Sequence, residues 1–222
     1  MSDVTAPGSD EAATRATEED AFYHEAALNA AWTGSRLAIG ALSFLFGAFA
    51  FAYFYLSSSN GHSKWLPSST TPPQVGYGVA IMALVVVSAI VQTVGLQQIK
   101  AGRKKPWAQA ALVALVLGLV AIALQIVQLL DLPFQPGESG FASVFVGFYP
   151  VALVTWLAAM IWLEILVVRA RRIPAISFVE QPPTYAETFE VQRFQSSLSA
   201  FTLVWNYLAI VAFIFWLFFY VR

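Results

Sequence analysis

Five long apolar runs dominate the sequence and restrict the environment in which it can fold. They cover about residues 36–57, 76–99, 106–130, 141–168 and 196–220. A helix needs about 20 apolar residues to cross a hydrocarbon layer of roughly 30 Å, and each run is long enough. Hydrophobic residues make up 58% of the chain and charged residues only 11%, which is far from the composition of a soluble domain. We therefore predict an all-α, polytopic membrane protein with five transmembrane helices.

The region before the first run has a different composition. Seven of the thirteen acidic residues fall before position 30, among Ser, Thr, Ala and Gly, so residues 1–20 are predicted to be a flexible acidic tail. Residues 21–32 are predicted to form a short amphipathic helix at the membrane surface. The membrane domain then covers residues 21–222. The start has no basic segment followed by an apolar one, so we expect no cleavable secretory signal.

The positions of the basic residues predict the orientation of the chain. Lys and Arg near membrane spans are retained on the cytoplasmic side. Ten of the twelve basic residues fall on one side of the five runs, and only Lys64 and Arg222 fall on the other. The sequence therefore predicts an N-terminus inside and a C-terminus outside. The connection from Arg169 to Gln195 contains Pro174, Pro182 and Pro183, which argue against a continuous helix there.

The sequence offers few ligands for a metal or a haem. Cysteine is absent, and the two histidines, His24 and His62, fall on opposite sides of the membrane. Of the usual haem and copper ligands, only Met82 and Met160 lie within spans, where packing is the simpler role. We expect no metal, no cofactor-binding residue and no catalytic residue in this chain. The net charge of −1, with basic residues at the membrane edges, gives no support to a nucleic-acid partner.

Polar side chains within the runs are the candidates for a functional role. Glu164 lies well inside the fourth run, where it can serve a proton relay or pair locally or with a neighbouring subunit. Gln and Asn side chains at membrane depth can bind a ligand, but hydrogen bonds between helices are their default use. Aromatic residues near span ends are expected to anchor the chain at the headgroup level. The possible lipid-contacting or subunit-interface residues are Tyr53, Tyr55, Gln125, Gln128, Glu164, Trp205 and Asn206.

Three segments carry a resemblance to a known family. The first run ends AYFYL at residues 52–56 and is followed by Trp65 and Pro67; the fourth begins ASVFVGFY at Ala142; the last reads FTLVWNYLAIVAFIFWLFFYVR. In these segments, and in the order and length of its spans, the chain resembles subunit III of the haem–copper cytochrome c oxidases, in the short five-helix form of prokaryotes.

The resemblance includes clear departures from the family pattern. Leu42 stands where the family commonly has a buried Glu, and Ala152 and Thr155 stand at its two fourth-helix histidine positions. Of the family's YWHFVD core, only the Trp is kept, as Trp205, with Asn206 and Ala209 at the His and Asp positions. A divergent branch is implied, and the family's buried carboxylate cannot be carried over.

The resemblance implies an accessory subunit that binds no haem or copper itself. Subunit III of this family stabilises the catalytic subunit I, organises lipid, and supports oxygen entry and proton uptake in a complex that pumps protons. The implied partners are oxidase subunits I and II, which hold the haem and copper, structural phospholipid, and a respiratory supercomplex; the implied location is the prokaryotic plasma membrane. Two alternatives stay open: an accessory subunit of a nitric oxide reductase, and an unrelated small membrane carrier or scaffold.

Overall fold

The computed structural model describes the backbone of residues 9–60, 64–66, 72–178 and 185–221 and, within them, all side chains except those of residues 9–17, 176 and 185–188. Within these ranges the chain forms five long helices and a short 3-10 helix at Ala175–Phe178. The described residues form helices and no strands, which confirms the predicted all-α class. All five long helices are long and apolar enough to cross a membrane. The helices are α1 Ser9–Ser59, α2 Val75–Lys100, α3 Lys104–Leu130, α4 Gly140–Arg172 and α5 Tyr185–Tyr220.

Helix α1 is much longer than the span predicted for it. It runs without a break from Ser9 to Ser59, whereas the sequence analysis expected a flexible segment to residue 20 and a separate surface helix at 21–32. Residues 9–33 contain many Ala and Glu and no Gly or Pro, so nothing in them ends a helix. At about 1.5 Å per residue, the 51 residues of α1 extend far beyond a single bilayer crossing. Residues 1–8 of the predicted tail lie outside the described residues.

The connection between α4 and α5 is shorter than expected. Helix α4 ends at Arg172, close before Pro174, as the proline predicts. Helix α5 begins at Tyr185, well before the predicted start at residue 196. The stretch from Tyr185 to Gln195 has no Gly or Pro, so helix formation continues back towards the two prolines, which are themselves outside the described residues.

Helix α5 lies at the centre of the bundle and α1 at its edge. Helix α5 packs against α1, α2 and α4; α3 packs against α2 and α4, and α1 also packs against α4. Half of the most apolar window of α5 is buried, compared with 6% of the window of α1. The largest fully buried side chains of α5 are Leu198, Phe201, Trp205 and Phe219.

The antiparallel packing gathers the basic residues at one end of the bundle. The last turn of α2, the first turn of α3, the last turns of α4 and the first turns of α5 meet there, and we call this the basic end. The Lys104 ammonium donates to the carbonyl of Ile173, which joins the start of α3 to the end of α4. The Ser196 hydroxyl donates to the carbonyl of Leu28 at 2.6 Å, which joins α5 to α1. The basic side chains of these turns are those of Lys100, Arg103, Lys104, Lys105, Arg169, Arg171, Arg172 and Arg193.

Candidate functional site

Two consecutive buried hydrogen bonds join the three helices α2, α3 and α5. The Trp205 indole N–H donates to the Ser88 hydroxyl at 3.1 Å, and that hydroxyl donates to the Ala114 carbonyl at 2.8 Å. Trp205 and Ser88 are both fully buried. A carbonyl of α3 already receives an N–H within its own helix, so its second lone pair is free to accept from Ser88. Trp205 therefore packs and hydrogen-bonds inside the bundle and has no surface exposed to lipid or a partner.

A second polar pair joins α2 to α5. The Asn206 side-chain amide donates to the Thr93 hydroxyl at 3.0 Å. The same Thr93 hydroxyl lies 2.9 Å from the Ala89 carbonyl of its own helix. Asn206 is half-buried, and its hydrogen bond is of the interhelical kind that stabilises membrane bundles by about 0.6 to 2 kcal/mol. This contact is a hydrogen bond between helices, the default use expected from the sequence for such amides.

A third network lies at the end of the bundle opposite the basic end. The Gln125 amide donates to Gln128 at 3.2 Å, and the Gln128 amide donates to the Tyr220 hydroxyl. The Tyr220 hydroxyl is also hydrogen-bonded to that of Tyr149. These contacts connect α3, α5 and α4 through side chains that are remote in sequence. Gln125 and Gln128 are thus interior residues.

Several buried polar atoms lack a hydrogen-bond partner among the described residues. These atoms are both side-chain polar atoms of Gln92, the indole nitrogens of Trp107 and Trp216, and Oε1 of Gln125. Gln92 is fully buried on α2, one turn after Ser88. Trp216 lines a cavity of about 10 Å³, close to the least volume that holds one water molecule. Such atoms are costly in a membrane interior unless water or another group reaches them.

The two candidate tyrosines of α1 have opposite environments. The Tyr53 hydroxyl donates to the Phe218 carbonyl at 2.5 Å, and its ring stacks on Phe218 with centroids 5.2 Å apart. Tyr53 therefore ties α1 to α5. Tyr55 is 58% exposed and stacks on the exposed ring of Phe51, with centroids 5.8 Å apart. Only Tyr55 of this pair presents most of its surface outwards.

Glu164 faces outwards from α4 on an otherwise apolar surface, between one and two turns before Arg169. The side chain is exposed, and residues one and two turns away on the same face are exposed and aliphatic. This stripe repeats every three to four residues, the period of one helix face. Because a membrane span normally presents such a face to lipid or to another helix, the carboxylate is out of place unless a partner meets it. We call this surface the α4 stripe; it consists of Val154, Leu157, Ile161, Glu164, Ile165 and Val168.

The seven candidate residues therefore do not form one site. Gln125, Gln128 and Trp205 are buried, whereas Tyr55 and Glu164 are exposed on different helices. Ser88 and Tyr149, which each belong to one of the buried networks, were not predicted from the sequence. Their roles depend on partners on other helices, so no local pattern marks them.

The described residues contain no group of three or more His, Cys, Asp or Glu side chains that could hold a metal ion. His24 lies on α1, where its Nδ1 is 2.8 Å from the Asp20 carbonyl and its ring meets Phe189 edge-on. His62 is outside the described residues. The Thr155 hydroxyl donates to the Ala152 carbonyl of its own helix at 2.7 Å.

Comparison with known proteins adds no assignment. No protein-family model matches the chain, and no curated protein matches it.

Proposed function

We propose that this chain is an accessory, non-redox subunit of a larger membrane enzyme, of the kind represented by subunit III of haem–copper terminal oxidases. The carboxylate of Glu164 on the exposed α4 stripe supports a docking role. The resemblance in the first, fourth and last spans supports the oxidase as the complex. In this proposal the chain stabilises catalytic subunit I and organises the lipid around it, while electrons and oxygen are handled by the partners.

The exposed carboxylate of Glu164 has an energetic cost in lipid. A charged side chain in the apolar part of a membrane helix is costly, and Glu164 lies in that part of α4, five residues before Arg169. A basic group or hydrogen-bond donor on a neighbouring helix offsets that cost, and the aliphatic residues of the α4 stripe supply the surrounding packing surface. Since Glu164 lies on the outside of the bundle, a proton relay through the middle of this chain would not include it.

The proposal is tested by extracting the chain in a mild detergent and measuring what is bound to it. We expect a larger subunit containing haem and copper to copurify in a fixed ratio, and the complex to reduce oxygen. Recovery of a lone, colourless oligomer would instead favour the unrelated carrier or scaffold. Reduction of nitric oxide, without oxygen reduction, would favour the accessory subunit of a nitric oxide reductase.

Variants of Glu164 test the docking surface separately. We expect Glu164→Arg to lower the recovery of the partner at least about tenfold, because a like charge would then oppose any basic group that meets Glu164. Glu164→Gln should leave oxygen reduction intact in the complexes that assemble, since it keeps the shape of the side chain. Glu138→Arg, in the exposed segment before α4, is the matched control and should not change recovery. Full recovery with Glu164→Arg would contradict docking through the α4 stripe.

A further inference from the structure

A cavity of about 330 Å³ lies at the basic end, between the last turns of α4 and the first turns of α5. Helix α4 ends in a run of arginines, and the antiparallel return of α5 places another arginine opposite them. The walls combine charged and aromatic side chains from both helices. They include Arg169, Arg172, Phe189, Glu190, Arg193 and Phe194.

The side chains that line this cavity carry a net positive charge. Three guanidinium groups share it with one carboxylate, that of Glu190. Of the two phenylalanines that line it, Phe194 is buried and Phe189 is half-buried, so the charged groups lie beside apolar side chains. A guanidinium keeps its charge at any physiological pH and presents paired N–H donors that match two oxygens of one anion. Three of them around one space favour a ligand with several anionic oxygens.

The position along α4 indicates what can reach the cavity. Helix α4 has 33 residues, about 50 Å at 1.5 Å per residue, whereas the hydrocarbon layer is roughly 30 Å thick. Its arginine-containing last turns therefore extend to the level of the lipid headgroups and the adjacent water. The volume is at the lower end of the roughly 300 to 1,000 Å³ of small-molecule sites.

We infer that this cavity binds a phosphate group, held by Arg169, Arg172 and Arg193. Paired Arg–phosphate hydrogen bonds are among the strongest in proteins because both partners are charged. The Glu190 carboxylate accepts a hydrogen bond from a hydroxyl or amino group beside the phosphate. The headgroup of an anionic phospholipid and a soluble phosphate compound share this chemistry. The inference does not depend on which partner subunit binds the chain.

The test uses the full chain, with any subunit that copurifies, and native mass spectrometry to count bound molecules. The probes are phosphatidylglycerol, diacylglycerol of the same acyl chains, and inorganic pyrophosphate. One variant combines Arg169→Gln, Arg172→Gln and Arg193→Gln. The matched control removes the same charge from exposed basic residues that do not line the cavity, by combining Lys100→Gln, Arg103→Gln and Lys105→Gln.

We expect binding of a phosphate probe to fall at least about tenfold in the cavity variant and to change little in the control. This result with phosphatidylglycerol identifies a lipid source, and the same result with pyrophosphate identifies a soluble one. Should the triple variant fail to fold, Arg193→Gln is compared with Arg171→Gln, which is exposed but does not line the cavity. Equal loss in cavity and control variants overturns the inference, as do equally tight binding of diacylglycerol and no binding of either phosphate probe.

Discussion

Positions where two helices approach most closely carry the smallest side chains. A Cβ atom at Gly78 would lie 2.4 Å from the ring of Tyr220, and one at Gly118 would lie 2.3 Å from the sulfur of Met160. The methionine can swing away, because its side chain is flexible. The tyrosine ring is rigid and is hydrogen-bonded through its hydroxyl to Gln128, so it cannot move without breaking the network at that end.

We predict that Gly78→Ala destabilises the bundle by about 1 to 3 kcal/mol, the usual cost of overpacking. Gly76→Ala, two residues away on the same helix, is the control, because nothing lies within 4 Å of a Cβ atom there. Thermal unfolding of both variants in the same micelles, followed by tryptophan fluorescence and circular dichroism, measures the difference. Equal midpoints for the two variants would show that α2 and α5 do not approach as closely as described.

Helix α1 shows how one helix can have an interior face and an exterior face in a membrane. Its packed residues recur every three or four positions, and they meet aromatic rings of α4 and α5. The ring of Phe46 lies 5.8 Å from that of Phe148 and 6.3 Å from that of Phe215. Phe44 is 86% exposed on the other face. The positions that follow this period are Ser35, Ile39, Leu42, Phe46, Phe49, Tyr53 and Leu56, and Ala50 and Ala52 pack beside them.

We predict that Phe46→Ala loosens the attachment of α1 and that Phe44→Ala does not. The expected loss is about 1 to 3 kcal/mol, below the roughly 3 to 5 kcal/mol of a soluble core, because lipid is as apolar as the interior and only packing is lost. Protease sensitivity of the segment that follows α1 in sequence, together with unfolding in mixed micelles, measures the loss. If both variants were equally stable, the packing of α1 on α4 and α5 would be in doubt.

The bundle as a whole is polarised between its two ends. Eight basic side chains surround the basic end, whereas the segment before α4 carries Asp131 and Glu138 and no positive charge. Charged residues that flank spans resist transfer across the membrane, and the positive ones are retained in the cytoplasm. This asymmetry is the basis of the predicted orientation, with the basic end and its arginine-lined cavity inside.

We predict that a cysteine at Ala101 reacts with a membrane-impermeant thiol reagent only after the membrane is opened, and that a cysteine at Asp131 reacts in intact cells. Both positions are exposed and lie at opposite ends of the bundle. The chain has no cysteine of its own, so any label on it comes from the introduced residue. The reverse pattern would invert the orientation and place the arginine cavity outside.

Length and hydrophobicity predicted the α2 and α3 bounds to within two residues, because a lipid environment requires every backbone polar group to be paired within a helix. The extensions of α1 and α5 were missed for a related reason. Their added turns are polar, and hydropathy identifies what lipid can cover, not where a helix ends. Helix-forming residues without Pro, and with Gly34 as the one glycine, continue these helices beyond the predicted spans.

The sequence by itself determined the environment, the number of spans and the scarcity of metal ligands, since these depend on composition and on local periodicity. Only the tertiary structure decided that Gln125, Gln128 and Trp205 point inwards while Glu164 points outwards. It also decided that Arg193 closes a cavity with Arg169 and Arg172. The reason is physical: in a uniformly apolar helix no face is marked as interior. Which face is buried depends on the shapes of the neighbouring helices, and those shapes exist only once the bundle is assembled.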